Sequence, residues 1–204
     1  MDRLIEGFLC FRETYYERHR PLFDALARGG QSPQAMVISC CDSRVDPGRI
    51  FSTGPGEIFV VRNVANLVPP YAPDDAYHGT SAALEFAVKS LQVEHIIVLG
   101  HTRCGGVRAL LNEQAGGEFI TPWMAMAKPA ADRVLADAAG KTADEVQRLC
   151  EQQTVRVSLA NLMTFPWIRE RVEAGKAFIH GWYFDLETGD LYWIDQTTGQ
   201  FSAV

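Results

Sequence analysis

The sequence predicts an α/β protein: a central, mostly parallel β-sheet flanked by helices, with an N-terminal helical arm and a C-terminal β-hairpin. Three observations carry that expectation. Short apolar runs rich in branched aliphatics, at 35–39, 57–62 and 96–100, read as strands buried on both faces. A stretch of helical spacing separates the second run from the third, and strand, loop, helix, strand in that order gives a right-handed crossover in a parallel sheet. Two last runs, 177–184 and 191–194, flank Glu187-Thr188-Gly189-Asp190, the pattern of a hairpin with a glycine-containing turn.

Taken in order, residues 3–28 read as helical, with Leu4, Phe8, Phe11, Tyr15, Leu22 and Leu26 at helical spacing. Pro21 forces a break, so two short helices run off the main body. Gly29-Gly30-Gln31-Ser32-Pro33 turns the chain into the first strand, and Pro47-Gly48 opens a short connection after it. Residues 66–75 form a loop stiffened by Pro69, Pro70 and Pro73. Residues 80–92 fit an amphipathic helix with Ala83, Phe86, Ala87 and Leu91 on one face. Gly105 and Gly106 open a helix over 107–111, and residues 122–162 are mostly helix. Pro166 breaks that region before a last short helix over 168–173. There is no internal repeat and no low-complexity tract, so residues 1–204 read as one domain with 1–30 as its arm.

Composition narrows the function. A length of 204 residues suits one domain with a sizeable core. The net charge of −6, from 19 basic and 25 acidic side chains, argues against nucleic acid or an anionic membrane as partner. Asp2 and Glu6 stand where a signal peptide needs a positive start and an apolar core. No run approaches the roughly eighteen apolar residues of a membrane span, which makes the cytoplasm the expected compartment. Five cysteines is an odd number, and their spacing favours reduced thiols and metal over disulfides.

Two of the strand-like runs end in chemistry. Cys40-Cys41-Asp42-Ser43-Arg44 follows the first, and His101-Thr102-Arg103-Cys104 follows the third. Reactive groups in open α/β sheets gather beyond the carboxyl ends of the strands. Cys40, His101 and Cys104 therefore make a Cys2His set suited to zinc, with a fourth position open for water. Cys41 is the rival of Cys40; neighbouring strand residues point to opposite sides, so only one of them easily joins the set. Asp42 can serve as a fourth ligand, accept a hydrogen bond from metal-bound water, or cap a turn. Arg44 can pair bidentately with it and hold it ionised off the metal, which favours the second role. A purely structural zinc clip would need four Cys or His ligands, and Cys10 and Cys150 lie in helical contexts without partner motifs. His19, His78, His95 and His180 carry no motif and read as non-ligands.

These residues resemble the β-class carbonic anhydrases. The resemblance rests on Cys40-Cys41-Asp42-Ser43-Arg44-Val45, Arg62-Asn63-Val64-Ala65-Asn66 and Gly100-His101-Thr102-Arg103-Cys104-Gly105-Gly106, and is continuous from about Gln31 through Leu111. It implies one Zn2+ per subunit on Cys40, His101 and Cys104, with Asp42 and Arg44 as the dyad that orients zinc-bound hydroxide for attack on carbon dioxide, giving bicarbonate and a proton. Gln31 matches a substrate-binding glutamine, Phe59 and Val64 match apolar residues of the carbon dioxide pocket, and Gly105 supplies a backbone N–H near it. Phe86 stands where plant-like members place a tyrosine. Residues 36–39 lack the tryptophan of the branch that closes its zinc with the aspartate, so the chain is similar to the open, plant-like branch. The resemblance further implies a homodimer or dimer of dimers whose pocket takes side chains from both subunits. The aromatic arm either grips that neighbour or packs on its own core. Two other functions suit the same residues: hydrolysis of carbonyl sulfide or carbon disulfide, and non-catalytic zinc or bicarbonate binding.

Overall fold

The structure, a computed structural model, describes residues 1–112, 116–195 and 197–204. Among them a six-stranded sheet runs β2-β1-β3-β4-β5-β6, with β1 Ala35–Cys40, β2 Ile58–Asn63, β3 His95–His101, β4 Phe178–Phe184, β5 Leu191–Ile194 and β6 Phe201–Ala203. β2, β1, β3 and β4 are mutually parallel, and β5 and β6 are antiparallel additions. The last three residues of strand were not expected from the sequence; Phe201-Ser202-Ala203 is too short to show a period.

Side chains alternate along β1, and both of its faces are covered. Met36 and Ile38 meet Ile96 and Val98 on one face, under Leu84, Val155, Leu162 and Ile168. Val37 joins Ile97 and Leu99 on the other, with Val45, Phe51 and Trp182. Each such side chain, fully withdrawn from water, contributes about 1.5–3 kcal/mol, so register is strongly specified.

The helices are α1 Asp2–Cys10, α2 Arg20–Gly29, α3 Pro47–Ile50, α4 Gly79–Glu85, α5 Gly105–Leu111, α6 Ile120–Ala125, α7 Lys128–Ala136, α8 Ala143–Leu162 and α9 Pro166–Glu173. α8 is the longest and lies across β3 and β4; Thr142 and Glu145 close its N-terminus with a capping box. Proline opens α2 and α9 rather than merely ending what precedes them. Two helices change pitch: Phe11–Tyr16 after α1 and Phe86–Ser90 after α4 are π-helical. In the arm, no residue of α1 or α2 is buried; Phe11, Tyr15, Tyr16 and Phe23 pack ring against ring. No residue of the arm enters the buried core, and α2 touches its own chain where Leu26 lies against Gly56.

Candidate metal centre

The sheet order creates the site. The chain leaves β1 toward β2 on one side and leaves β3 toward β4 on the other, so a crevice opens beyond the adjacent carboxyl ends of β1 and β3. Cys40 is the last residue of β1 and His101 the last of β3. Cys104 follows one tight turn later, where Arg103 takes a left-handed backbone (φ 58°).

The three ligand atoms of Cys40, His101 and Cys104 lie within 4.8 Å of one another, all three residues buried. Imidazole Nδ1 is committed to the Thr102 carbonyl at 2.8 Å, which leaves Nε2 for a ligand. That Nε2 is buried without a well-formed hydrogen bond, with the two sulfurs facing it. An orphaned imidazole nitrogen between two thiols is costly as a protein interior and is what a thiophilic divalent cation satisfies. The residues present fit zinc.

Electrostatics agree. The hydrogen bond from the Cys104 thiol, aided by His101 and the Asp42 backbone N–H, pushes Cys40 well down toward thiolate. The same bond and burial push Cys104 up. Burial pulls His101 down, but the Cys40 thiolate outweighs it and the net shift is upward. These donors hold protons that a cation would displace. Cys41 is exposed and Cys150 is buried away from the group, its thiol pushed up to about 12 by burial.

Asp42 does not join the three ligand atoms. Arg44 grips it bidentately, Nε to Oδ1 at 2.9 Å and Nη2 to Oδ2 at 2.7 Å, and the Arg44 backbone N–H adds a third bond to Oδ1. That grip holds the carboxyl well below the usual carboxylate range. Arg62 fixes the loop beneath: its guanidinium donates to the carbonyls of Cys40, Asp42 and Val45. Sequence reasoning gave Arg62 no role; only its place in a motif pointed to it.

Other predicted residues fall in two groups. Val64 and Gly105 lie beside the centre. Gly105 begins α5, and a Cβ on the next residue, Gly106, would meet Val64 Cγ1 at 2.8 Å, so Gly106 is the glycine that close packing requires. Val64 also lines an apolar groove of about 630 Å3 with Cys41, Asn63, Ile120 and Trp123. Phe59 and Phe86 pack against each other with tilted rings, 5.9 Å between centroids, but at the far end of the sheet. Phe59 pairs with Met36 while Asn63 pairs with Cys40, which places it about 13 Å back along the strands. Gln31 is exposed in the loop before β1. The remaining histidines are occupied elsewhere: His95 with His180, His78 with Asp74, His19 with the Tyr15 carbonyl.

Glu151 was not legible in the sequence at all. It is a buried carboxylate on α8, pushed up by burial, that accepts the Cys104 backbone N–H at 2.8 Å. Nothing in the polar spacing of that helix marks it.

Comparison with known proteins matches this arrangement. Residues 35–191 match the family model for carbonic anhydrase. A carbonic anhydrase of Synechococcus elongatus is 36% identical over 207 residues, covering 100% of this chain and 75% of that protein. The solved β-carbonic anhydrase CcaA superposes with a TM-score of 0.94 at 35% identity, over 100% of this chain and 92% of the other. A tetrameric β-carbonic anhydrase of the ascomycete Sordaria macrospora gives 0.86 at 28% identity, over 99% and 98%. With a Cys-His-Cys group at the switch point of the same sheet and this similarity along the full chain, the protein belongs to the β-class carbonic anhydrases and carries their activity.

Proposed function

We propose that the chain hydrates carbon dioxide reversibly to bicarbonate and a proton, with one zinc on Cys40, His101 and Cys104 and with Asp42 and Arg44 as the orienting dyad of an open site. The observation that carries this reading is the pairing of an orphaned His101 Nε2 with an Asp42 carboxylate locked onto Arg44. Zinc, when bound, supplies a nucleophile near neutral pH by lowering the pKa of a coordinated water.

The residues do the rest. An ionised Asp42 only accepts hydrogen bonds, so a water beside it must aim an O–H at the carboxylate and turn a lone pair toward the substrate. Arg44 keeps that carboxylate from swinging toward the cation. The groove lined by Val64, Ile120 and Trp123 is apolar, which suits a neutral, poorly hydrated substrate.

Gln31, Phe59 and Phe86 stand too far from the centre of their own chain to touch a substrate there. We read them as the contribution of a second copy to its neighbour's pocket, in a homodimer that can pair further. An exposed arm and an open β2 edge, where Val60 is 39% exposed, support that reading, because a long unpaired edge invites pairing. Five free cysteines suit a reducing compartment such as the cytoplasm, and no described helix is long and apolar enough to cross a membrane.

Stopped-flow carbon dioxide hydration by the zinc-loaded protein tests the proposal, followed from about pH 6.5 to 9. Activity already present near neutrality is the expected result. Activity only above about pH 8 would place Asp42 on the metal. None at any pH would turn the assignment to carbonyl sulfide or carbon disulfide hydrolysis, or to a binding subunit.

A further inference from the structure

The turn that presents Cys104 is held from both sides through a single peptide group. On one side Glu151, 2% exposed, accepts the Cys104 N–H on Oε1 at 2.8 Å. The same oxygen takes Gln147 Nε2 at 2.8 Å, and Oε2 takes the Tyr183 hydroxyl at 2.7 Å. On the other side the carbonyl of that same peptide, belonging to Arg103, accepts Arg44 Nη2 at 3.0 Å. Arg44 Nη2 also donates to Asp42 Oδ2 at 2.7 Å. The hydrogen bonds therefore run from Tyr183 through Glu151, across the Arg103–Cys104 peptide, to Arg44 and Asp42.

Both ends of the peptide are polarised in the same sense, a buried carboxylate at its N–H and a half-exposed guanidinium at its C=O, and hydrogen bonds in series polarise one another, most strongly at the buried end. Turned over, the peptide would set its carbonyl against Glu151 and its N–H against Arg44, which is unfavourable at both ends. The turn needs a hold of this kind, because Arg103 is a non-glycine residue in the left-handed region (φ 58°). The Arg103 side chain follows the backbone outward, onto Asp144 and Glu187.

We infer that Glu151 is a positioning residue for the reaction, setting the Asp42–Arg44 dyad from behind the metal centre through the Arg103–Cys104 peptide. The inference rests on the dyad role proposed above. It adds the residue, on a helix remote in sequence, that decides where the dyad points.

The test is Glu151→Gln in the zinc-loaded protein. Glutamine keeps an acceptor for the Cys104 N–H and removes the charge. The Cys104 amide and the Arg44 Nε–H are followed by ¹H–¹⁵N NMR, beside kcat and KM. Arg44 does not touch Glu151, so a role confined to filling space leaves its resonance where it was. The expected result is that both resonances move and that kcat falls about tenfold with KM nearly unchanged. An unmoved Arg44 Nε–H in folded, zinc-loaded protein overturns the inference. Should Glu151→Gln fail to fold, Tyr183→Phe removes only the Oε2 partner; a smaller shift of Arg44 Nε–H is then expected, and no shift is fatal. If the unaltered protein proves inactive, the proposed function fails, and the resonances still decide whether the peptide couples Glu151 to Arg44.

Discussion

At the end of β1 two neighbouring cysteines are candidates for one place in the proposed zinc set, and strand geometry separates them. Cys40 is buried with its sulfur beside His101 and Cys104, whereas Cys41 is exposed and lines the groove. Cys40→Ser should therefore empty a site that otherwise holds about one zinc per chain, and Cys41→Ser should leave it filled. Metal content after gel filtration decides between them, and zinc loss in the Cys41 variant would reverse the assignment. Asp42 makes a different prediction. Its carboxyl is depressed by Arg44, so the stabilisation from the pair is fully present above the unfolded carboxylate's pKa and disappears only as pH falls through the folded one. A ¹³C titration should find Asp42 ionised throughout the working range and down to about pH 3. A midpoint between about pH 4 and 7 would mean that Arg44 does not hold it. Asp42→Ala should abolish turnover while zinc stays bound.

Between residues and the whole molecule, the elements that matter most are α8 and the two strands beneath it. A Cβ on Gly100 of β3 would stand 2.6 Å from Val155 Cγ2, and one on Gly181 of β4 would stand 3.0 Å from Val155 Cγ1 and 2.6 Å from Ile194 Cδ1. Val155 is β-branched and fully buried, so it cannot swing aside. Gly100→Ala should cost about 1–3 kcal/mol in urea unfolding and weaken zinc binding, because Gly100 precedes His101. In a Val155→Ala background the cost should fall by more than half; equal costs in both would show that the helix does not press on that glycine. This close approach also explains what the sequence could and could not reveal. Branched aliphatic runs and a glycine turn are local signals, and they located β1 to β5 and both strand ends that bring Cys40, His101 and Cys104 together. The region 122–162, which folds as the end of α6 followed by α7 and α8, was legible only as mostly helical, since its one decisive side chain, Glu151 of α8, acts on a backbone N–H that is 47 positions away in the chain. The π-helical stretches and β6 left no period to read. Phe59, Phe86 and Gln31 carried family meaning in the sequence, but the distance of Phe59 from Cys40 follows from strand register, which only the assembled sheet displays, and Phe86 packs beside Phe59.

For the molecule as a whole, that distance has a consequence. An arm in which nothing is buried, with Leu4, Ile5, Phe8 and Leu9 exposed, is more apolar surface than a stable monomer usually leaves in water. Short helices are also marginal without tertiary contacts. A second copy can cover the arm and can bring Gln31, Phe59 and Phe86 to a metal centre they cannot reach at home. If so, a complete site is built from two chains, and defects on different chains should complement. Cys40→Ser alone removes the metal and keeps the pocket side chains. Phe59→Asp alone keeps the metal and spoils the pocket that it lends to its neighbour. Each variant should be inactive by itself. In a closed two-fold dimer a mixed pair joins one intact centre to one intact set of pocket residues, so random co-assembly should restore about a quarter of the wild-type sites. Carbon dioxide hydration measured after co-expression, against the same variants purified separately and kept apart, reads this directly. Recovery near that level places Phe59 in the neighbouring subunit's pocket. Absence of recovery, with mixed dimers demonstrated by mass spectrometry, would confine each site to one chain and leave Phe59 a packing residue at the rim of its own core.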